Sequence, residues 1–281
     1  MIPASAIAEG IDALPTLPEA VARLTALLQD EHATIDDFER AVHADPAVTA
    51  NLLGAANSAF HRGIDQVSTV GEAVARIGLK RVCDVAVAAT FRRALPLRIS
   101  GYGLDAPTFW MHCTATAVYA EALARERHLP CLDLAFTAGL LHDVGKLVVG
   151  GFLALLMPES NWWTFGTAAE ERNLLGCNHC DVGQEIAARW HLPSAYGQIC
   201  RWHHEPSAAA AGVDVDLAAV VHAADYMAYR AGFPGGSGKD EALDRFVELR
   251  LDLDREQLEQ MALDRAEEVR RMSQFTSSCA A

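Results

Sequence analysis

Apolar side chains recur at three- and four-residue intervals along almost the whole chain, and runs that alternate with a period of two are scarce. A period near 3.6 gives a helix one apolar face, whereas a half-buried strand needs a period of two, so the spacing predicts an all-α fold. Leu17, Val21, Leu24, Leu27 and Leu28 form such a stripe, with Pro18 suited to a first turn. Thr34 followed by Asp37 is a capping arrangement ahead of Phe38 and Val42. Asp45-Pro46 opens a helix through Val48, Leu52 and Leu53; residues 69–77 give a short helix stopped by Gly78, and 82–95 another halted by Pro96. Residues 1–100 therefore read as a bundle of about five helices.

Residues 98–106, with two glycines, read as a connection. Helices resume over 108–127, 132–149, 168–175, 181–191, 194–203 and 216–231, forming a second bundle within 101–233. Residues 158–166 read as a loop that exposes Trp162 and Trp163, candidate partner anchors because aromatic side chains dominate binding hot spots. Pro234-Gly235-Gly236-Ser237-Gly238 is a flexible break. The charged stretch 239–281 reads as a C-terminal tail of one or two helices packed on the body, with homo-oligomerisation or partner binding as its alternative role.

With 281 residues, 51% of them hydrophobic, the chain can bury one large core or two modest ones. A formal charge of −14 with no block of Lys and Arg speaks against a nucleic-acid polymer as partner. Residues 1–14 have acidic residues and no basic segment before an apolar core, so they do not read as a signal peptide. No uninterrupted apolar stretch approaches the roughly 18 residues of a membrane helix. Seven cysteines, an odd number scattered from Cys83 to Cys279, suit a reducing compartment, and the expectation is a cytoplasmic protein without membrane contact. Cys177 and Cys180 have CxxC spacing, but there is no second pair for a structural zinc site and no βαβ context for a thioredoxin-like motif. They read as incidental thiols flanking His179.

The strongest chemical signal is His142-Asp143-Val144-Gly145-Lys146, at the end of the apolar run 134–141. Adjacent His and Asp offer a metal two kinds of ligand from one point of the backbone. His112 lies in Phe109-Trp110-Met111-His112-Cys113, where a buried imidazole needs a partner. His179 precedes the amphipathic stretch 182–190, His203 and His204 end the next helix, and Asp225 sits in the apolar helix 217–227. Each alone has a structural use as a core residue, a cap or a macrodipole partner. Facing inward from successive helices, they point together to a metal site inside a bundle. Imidazole and carboxylate donors suit iron, manganese, zinc or nickel better than calcium, and a carboxylate can bridge two ions. Two ions about 3.5–4 Å apart would clamp a phosphoryl group. Lys146 is placed to meet a phosphate oxygen, or else is a solvated lysine at a helix end.

At these residues the chain resembles the HD superfamily of metal-dependent phosphohydrolases, whose His, His-Asp doublet and distant Asp match His112, His142-Asp143 and Asp225 in order. More narrowly, it resembles the HDOD family, the HD-related output domains of bacterial signalling proteins. The likeness is carried by Leu14-Pro15-Thr16-Leu17-Pro18, Asp45-Pro46-Ala47-Val48-Thr49, Leu52-Leu53 with Ala56-Asn57-Ser58, and Ile77-Gly78-Leu79. It continues in Leu175-Gly176-Cys177-Asn178-His179, Val182-Gly183, Trp190-His191-Leu192-Pro193 and His203-His204, covering approximately residues 14–231.

The resemblance implies an N-terminal helical bundle packed against an HD-type bundle, with signalling proteins as partners. It also implies a dinuclear centre in which Asp143 bridges two ions. His112, His142 and Asp225 complete one half; His179, His203 and, as a further candidate, His204 complete the other. The Gly-Tyr-Pro motif of the related HD-GYP phosphodiesterases is absent, since Glu205, Pro206 and Ser207 follow His204, so hydrolysis of cyclic di-GMP is not implied. Two functions are in view. One is a signal-transduction module with a retained metal site. The other is a phosphohydrolase acting on a nucleotide or other phosphoester, with Asp143 and Lys146 catalytic. Glu170 and Glu171 are indistinguishable in the sequence from ordinary helix-surface acids.

Overall fold

The computed structural model describes residues 2–57, 66–157, 159, 161, 167–209, 212–236 and 242–279. Ser58, Trp162, Trp163, Ser237 and Gly238 lie outside the described residues. The chain opens with helices α1 (Ala4–Asp12), α2 (Glu19–Leu27), α3 (Ile35–His43), α4 (Pro46–Ala56), α5 (Val70–Ile77) and α6 (Leu79–Ala94). Their ends follow from local chemistry. Thr34 and Thr69 head α3 and α5 in capping boxes closed by Asp37 and Glu72, which satisfy backbone N–H groups that have no intrahelical partner. Asp45 accepts from the N–H groups of Ala47 and Val48 ahead of α4, with Pro46 in the first turn where a missing N–H costs nothing. Gly78, at φ 82°, turns α5 directly into α6, so that helix starts at Leu79 rather than at the expected residue 82. Val21, Leu24, Val42, Leu52 and Val82 from α2 to α6 meet in a shared apolar core.

The expected connection over 98–106 contains a minimal antiparallel pair, β1 (Arg98–Ile99) and β2 (Leu104–Asp105), the sole sheet among the described residues. Beyond it come α7 (Ala106–Glu126), α8 (Leu132–Leu141), α9 (Lys146–Leu156), α10 (Ala168–Leu175), α11 (His179–Arg189), α12 (Ser194–Trp202), a 3-10 turn (Pro206–Ala208) and α13 (Val215–Arg230). Helices α7, α8 and α13 pack against one another at the centre of the second bundle. The helix α1, which the apolar spacing did not signal, packs on α9 and α11.

One difference from the sequence expectation shapes the site. The stretch 132–149 is not one helix: residues 142–145 form a turn between α8 and α9. Taken whole, Leu132–Leu156 has the length and hydropathy of a membrane-crossing helix, although Asp133, His142, Asp143 and Lys146 interrupt its apolar run. It is largely buried inside the fold, and buried Asp143 and Lys146 lie within it.

The tail forms three helices where one or two were expected: α14 (Arg245–Leu251), α15 (Arg255–Asp264) and α16 (Ala266–Cys279). Asp252 adopts a left-handed conformation and Asp254 begins a new capping box with Gln257, which divides α14 from α15. α16 lies against α7, α6 and α4, burying Val269 and Met272, and the Trp110 indole donates to the Ser273 carbonyl at 3.4 Å.

Candidate metal centre

Helix ends and turns, more than helix faces, deliver the polar side chains. His112 projects from α7 and Asp225 from α13. His142 and Asp143 occupy the turn after α8, whereas the sequence reading placed them on a helix. His179 is the first residue of α11; His203 caps the C-terminus of α12, and His204 follows it. Gly145 lets these pieces converge, since a Cβ there would overlap the His179 carbonyl oxygen. Only a glycine allows the start of α9 to press against the start of α11, which brings Asp143 and His179 together.

All seven sequence-predicted metal ligands meet around one buried point. His112, His142, Asp143, His179 and His203 are almost wholly buried, and Asp225 is 8% exposed. Asp143 lies between two sets of ring nitrogens. Its Oδ2 is 3.4 Å from Nε2 of both His112 and His142, and its Oδ1 is 3.5 Å from His179 Nε2 and 3.7 Å from His203 Nε2. Asp225 Oδ1 faces the first set, 3.3 Å from His112 Nε2 and 3.7 Å from His142 Nε2. His204 joins the second, its Nε2 lying 3.0 Å from His179 Nε2.

The far nitrogen of four rings is anchored to an acceptor. Nδ1 of His112, His142 and His203 lies 2.9, 2.7 and 2.9 Å from the carbonyl oxygens of Phe233, Gly139 and Cys200. His179 Nδ1 is 2.8 Å from Glu171 Oε2. An acceptor there requires the hydrogen on Nδ1, so each neutral ring turns its Nε2 lone pair inward.

The consequence is acceptor against acceptor. Nε2 of His112 and His142 stand 3.3 Å apart, and Asp143 Oδ1 and His203 Nε2 are buried without a hydrogen-bond partner. Lone pairs and carboxylates converging without donors are unfavourable unless a proton or a cation stands among them. In the metal-free chain protons do part of this. Burial opposes charge on His142, but Asp143 and Asp225 outweigh it and raise its pKa to about 9. Burial likewise opposes the charge of Asp143, while Lys146 and His142 hold its carboxyl well below the ordinary range. Burial and the neighbouring His142 keep His203 neutral, its pKa down to about 3. The donor set fits a divalent transition metal better than it fits itself.

Lys146 begins α9 but is buried there rather than solvated. The residue is 7% exposed, and its ammonium donates to Asp143 Oδ2 at 2.5 Å and to the Gly235 carbonyl at 3.1 Å. A Cβ on Gly235 would overlap His112 Nε2, so the chain after α13 lies directly over this half of the centre. The other half borders a cavity of about 310 Å³, lined by Arg172, Asn173, Asn178, Cys180, Arg201 and His204. Asp181 holds both guanidiniums at its rim, Arg172 at 3.0 Å and Arg201 at 3.2 Å.

Sequence reasoning missed Glu171. It is fully buried, receives the His179 N–H at 2.7 Å and the Tyr102 hydroxyl at 2.7 Å, and orients the His179 ring. A signal was present: Thr167 and Glu170 form the capping box of α10, which leaves Glu171 on the buried stripe with Leu175 four residues on.

A helical bundle that gathers a His, a His-Asp doublet and a distant Asp around one buried point defines a protein of the HD type. The HDOD domain model matches residues 14–206, and the chain belongs to the HDOD family. An uncharacterized protein of Treponema pallidum (strain Nichols) is 24% identical over 212 residues, 72% of this chain and 39% of the relative. The chain thus spans about two fifths of the length of the curated relative it matches. Among solved structures, an HDOD domain protein of unknown function from Geobacter sulfurreducens has a TM-score of 0.73 at 22% identity, covering 98% of this chain and 97% of its own. A candidate signal transduction protein from Marinobacter aquaeolei VT8 gives 0.75 at 23%, covering 97% and 65%. A candidate phosphohydrolase from Shewanella amazonensis SB2B gives 0.71 at 22%, covering 97% and 98%. At these identities the likeness establishes the all-α HDOD fold.

Proposed function

We propose that this chain is a signal-transduction module of the HDOD type, acting in the cytoplasm, whose HD centre retains two divalent transition-metal ions. The observation that carries this reading is the division of Asp143 between two sets of imidazoles, with Asp143 Oδ1 and His203 Nε2 buried and unpartnered. His112, His142, Asp225 and Asp143 Oδ2 would hold one ion; His179, His203, His204 and Asp143 Oδ1 would hold the other. Iron, manganese, zinc and nickel all suit such donors. Lys146 and the chain at Gly235 close one side of the centre, which favours a structural or regulatory ion over an open reaction site. Its partners are other signalling proteins, engaged through the N-terminal bundle and the tail.

One observation favours a second reading, a phosphohydrolase acting on a nucleotide or other phosphoester. The cavity beside His204 reaches the centre from outside and has Arg172 and Arg201 at its rim, side chains that recognise phosphate oxygens. Bound ions would supply Lewis acidity and lower the pKa of water there. Lys146 would hold Asp143 in place, and the two arginines would orient the anion.

One experiment separates the two readings. Protein purified without chelator is assayed for metal content, then screened against cyclic dinucleotides, nucleotides and a chromogenic phosphodiester, with Asp143→Ala in parallel. Bound metal without turnover supports the regulatory module, and turnover that vanishes in Asp143→Ala supports the hydrolase. Absence of transition metal with an unchanged melting response to manganese in Asp143→Ala contradicts both.

A further inference from the structure

The thiol of Cys180 stands where no incidental thiol would be expected. One donor atom each from His179, Cys180, His203 and His204 lie within 4.8 Å of one another, a spacing that four ligands of a single ion can adopt. Cys180 is buried, and it is the second residue of α11, directly after His179. The sulfurs of Cys83 and Cys200, also buried, point to the carbonyls of Leu24 and Leu141 at 3.5 and 3.3 Å. That of Cys180 is instead grouped with ring nitrogens. Its CxxC neighbour does not share this setting. Cys177 lines a separate cavity of about 400 Å³ between α1 and α11, whereas Cys180 lines the one beside His204, so the two thiols face different spaces.

We propose that Cys180 is a metal ligand, giving the half-site of His179, His203 and His204 a thiolate donor. This rests on the metal-centre reading above. The two halves then differ in kind, because His112, His142 and Asp225 offer nitrogen and oxygen alone. A thiolate selects zinc, cobalt(II) or iron(II) over manganese, and the mixed imidazole-carboxylate half has no such preference. The thiol proton passes to bulk water as the ligand forms.

Cobalt(II) provides the test. The full chain, stripped with chelator and reloaded, is measured for bound cobalt and for the near-ultraviolet thiolate-to-cobalt charge-transfer band. The band is expected in the wild type, Cys177→Ala and Cys200→Ala, and is expected to vanish in Cys180→Ser. Bound cobalt without the band, or a band that survives in Cys180→Ser, overturns the proposal and leaves the metal centre standing. A chain that takes up no cobalt overturns both. Should Cys180→Ser fail to fold, X-ray absorption of the zinc-loaded wild type decides. A sulfur shell at about 2.3 Å is expected, and nitrogen and oxygen alone at about 2.0–2.2 Å overturns the thiolate.

Discussion

Among the described residues, two clusters of charge lie inside the fold, and they are built on opposite plans. Where α6 meets α7 and α8, two acids face two bases. Lys80 reaches Asp84 at 2.7 Å and Glu121 at 3.0 Å; Arg81 reaches Glu121 at 2.9 Å; and the Thr137 hydroxyl donates to the other oxygen of Asp84 at 3.2 Å. The carboxylates are answered by cations from the chain itself, and Arg125 at the rim adds another at 3.1 Å. Around Asp143 the chain instead gathers two carboxylates and five imidazoles and gives them one lysine, leaving buried acceptors without donors. A charge cluster whose carboxylates are met by the chain's own donors holds helices together. One left open marks a place where something outside the chain completes it.

The largest expected effect falls on the closed cluster. Asp84→Ala leaves the half-buried Lys80 and Arg81 to share Glu121 alone and should cost about 3–5 kcal/mol by denaturant unfolding while leaving metal content unchanged. Loss of metal in that variant would show that the two clusters are not separate. Next comes the open cluster. At a hundredfold excess over Kd, a bound ion should stabilise the wild type by about 2.7 kcal/mol, seen as a rise in Tm, and Asp143→Ala should show no such rise.

Glu171→Gln keeps the shape at His179 but removes the charge that orients its ring. A fall of about 10–100-fold in metal affinity is expected, read by competition with a chelator. An unchanged affinity would make Glu171 a structural acid like Glu121.

The smallest effect is in pH. His142 in the metal-free chain has its pKa raised to about 9 from 6.5, so its contribution to stability is complete below about 6.5 and is lost as pH rises through about 9. A metal must displace that proton, so apparent affinity should climb with pH, by up to about tenfold per unit, and level off above about 9. Titration of metal binding across that range, with proton release measured in weak buffer, checks the sign.

The same contrast explains what could be read in advance. Helix starts at Thr34, Asp45 and Thr69 were legible because a cap is a local pattern, and the His-Asp doublet stood out because its residue types are costly to bury. The break at residues 142–145 was hidden because apolar periodicity runs straight through it; it depends on Gly145 meeting the His179 backbone, a contact between residues far apart in sequence. Glu171 and Cys180 were hidden for a related reason. An acid on a helix and a thiol in a CxxC spacing acquire meaning only from what other elements place beside them, here Tyr102, His203 and His204. The tail's three helices were blurred into one or two because Asp252 and Asp254 read as further charges in a charged stretch.

Elemental analysis of the 281-residue chain, expressed in metal-supplemented medium and purified without chelator, bears on the difference between the two clusters. The open cluster calls for two transition-metal ions per chain in the wild type, the same in Asp84→Ala, and none in Asp143→Ala. A wild type as free of transition metal as Asp143→Ala would mean that the buried imidazoles and carboxylates are satisfied by protons alone and that the centre is no metal site.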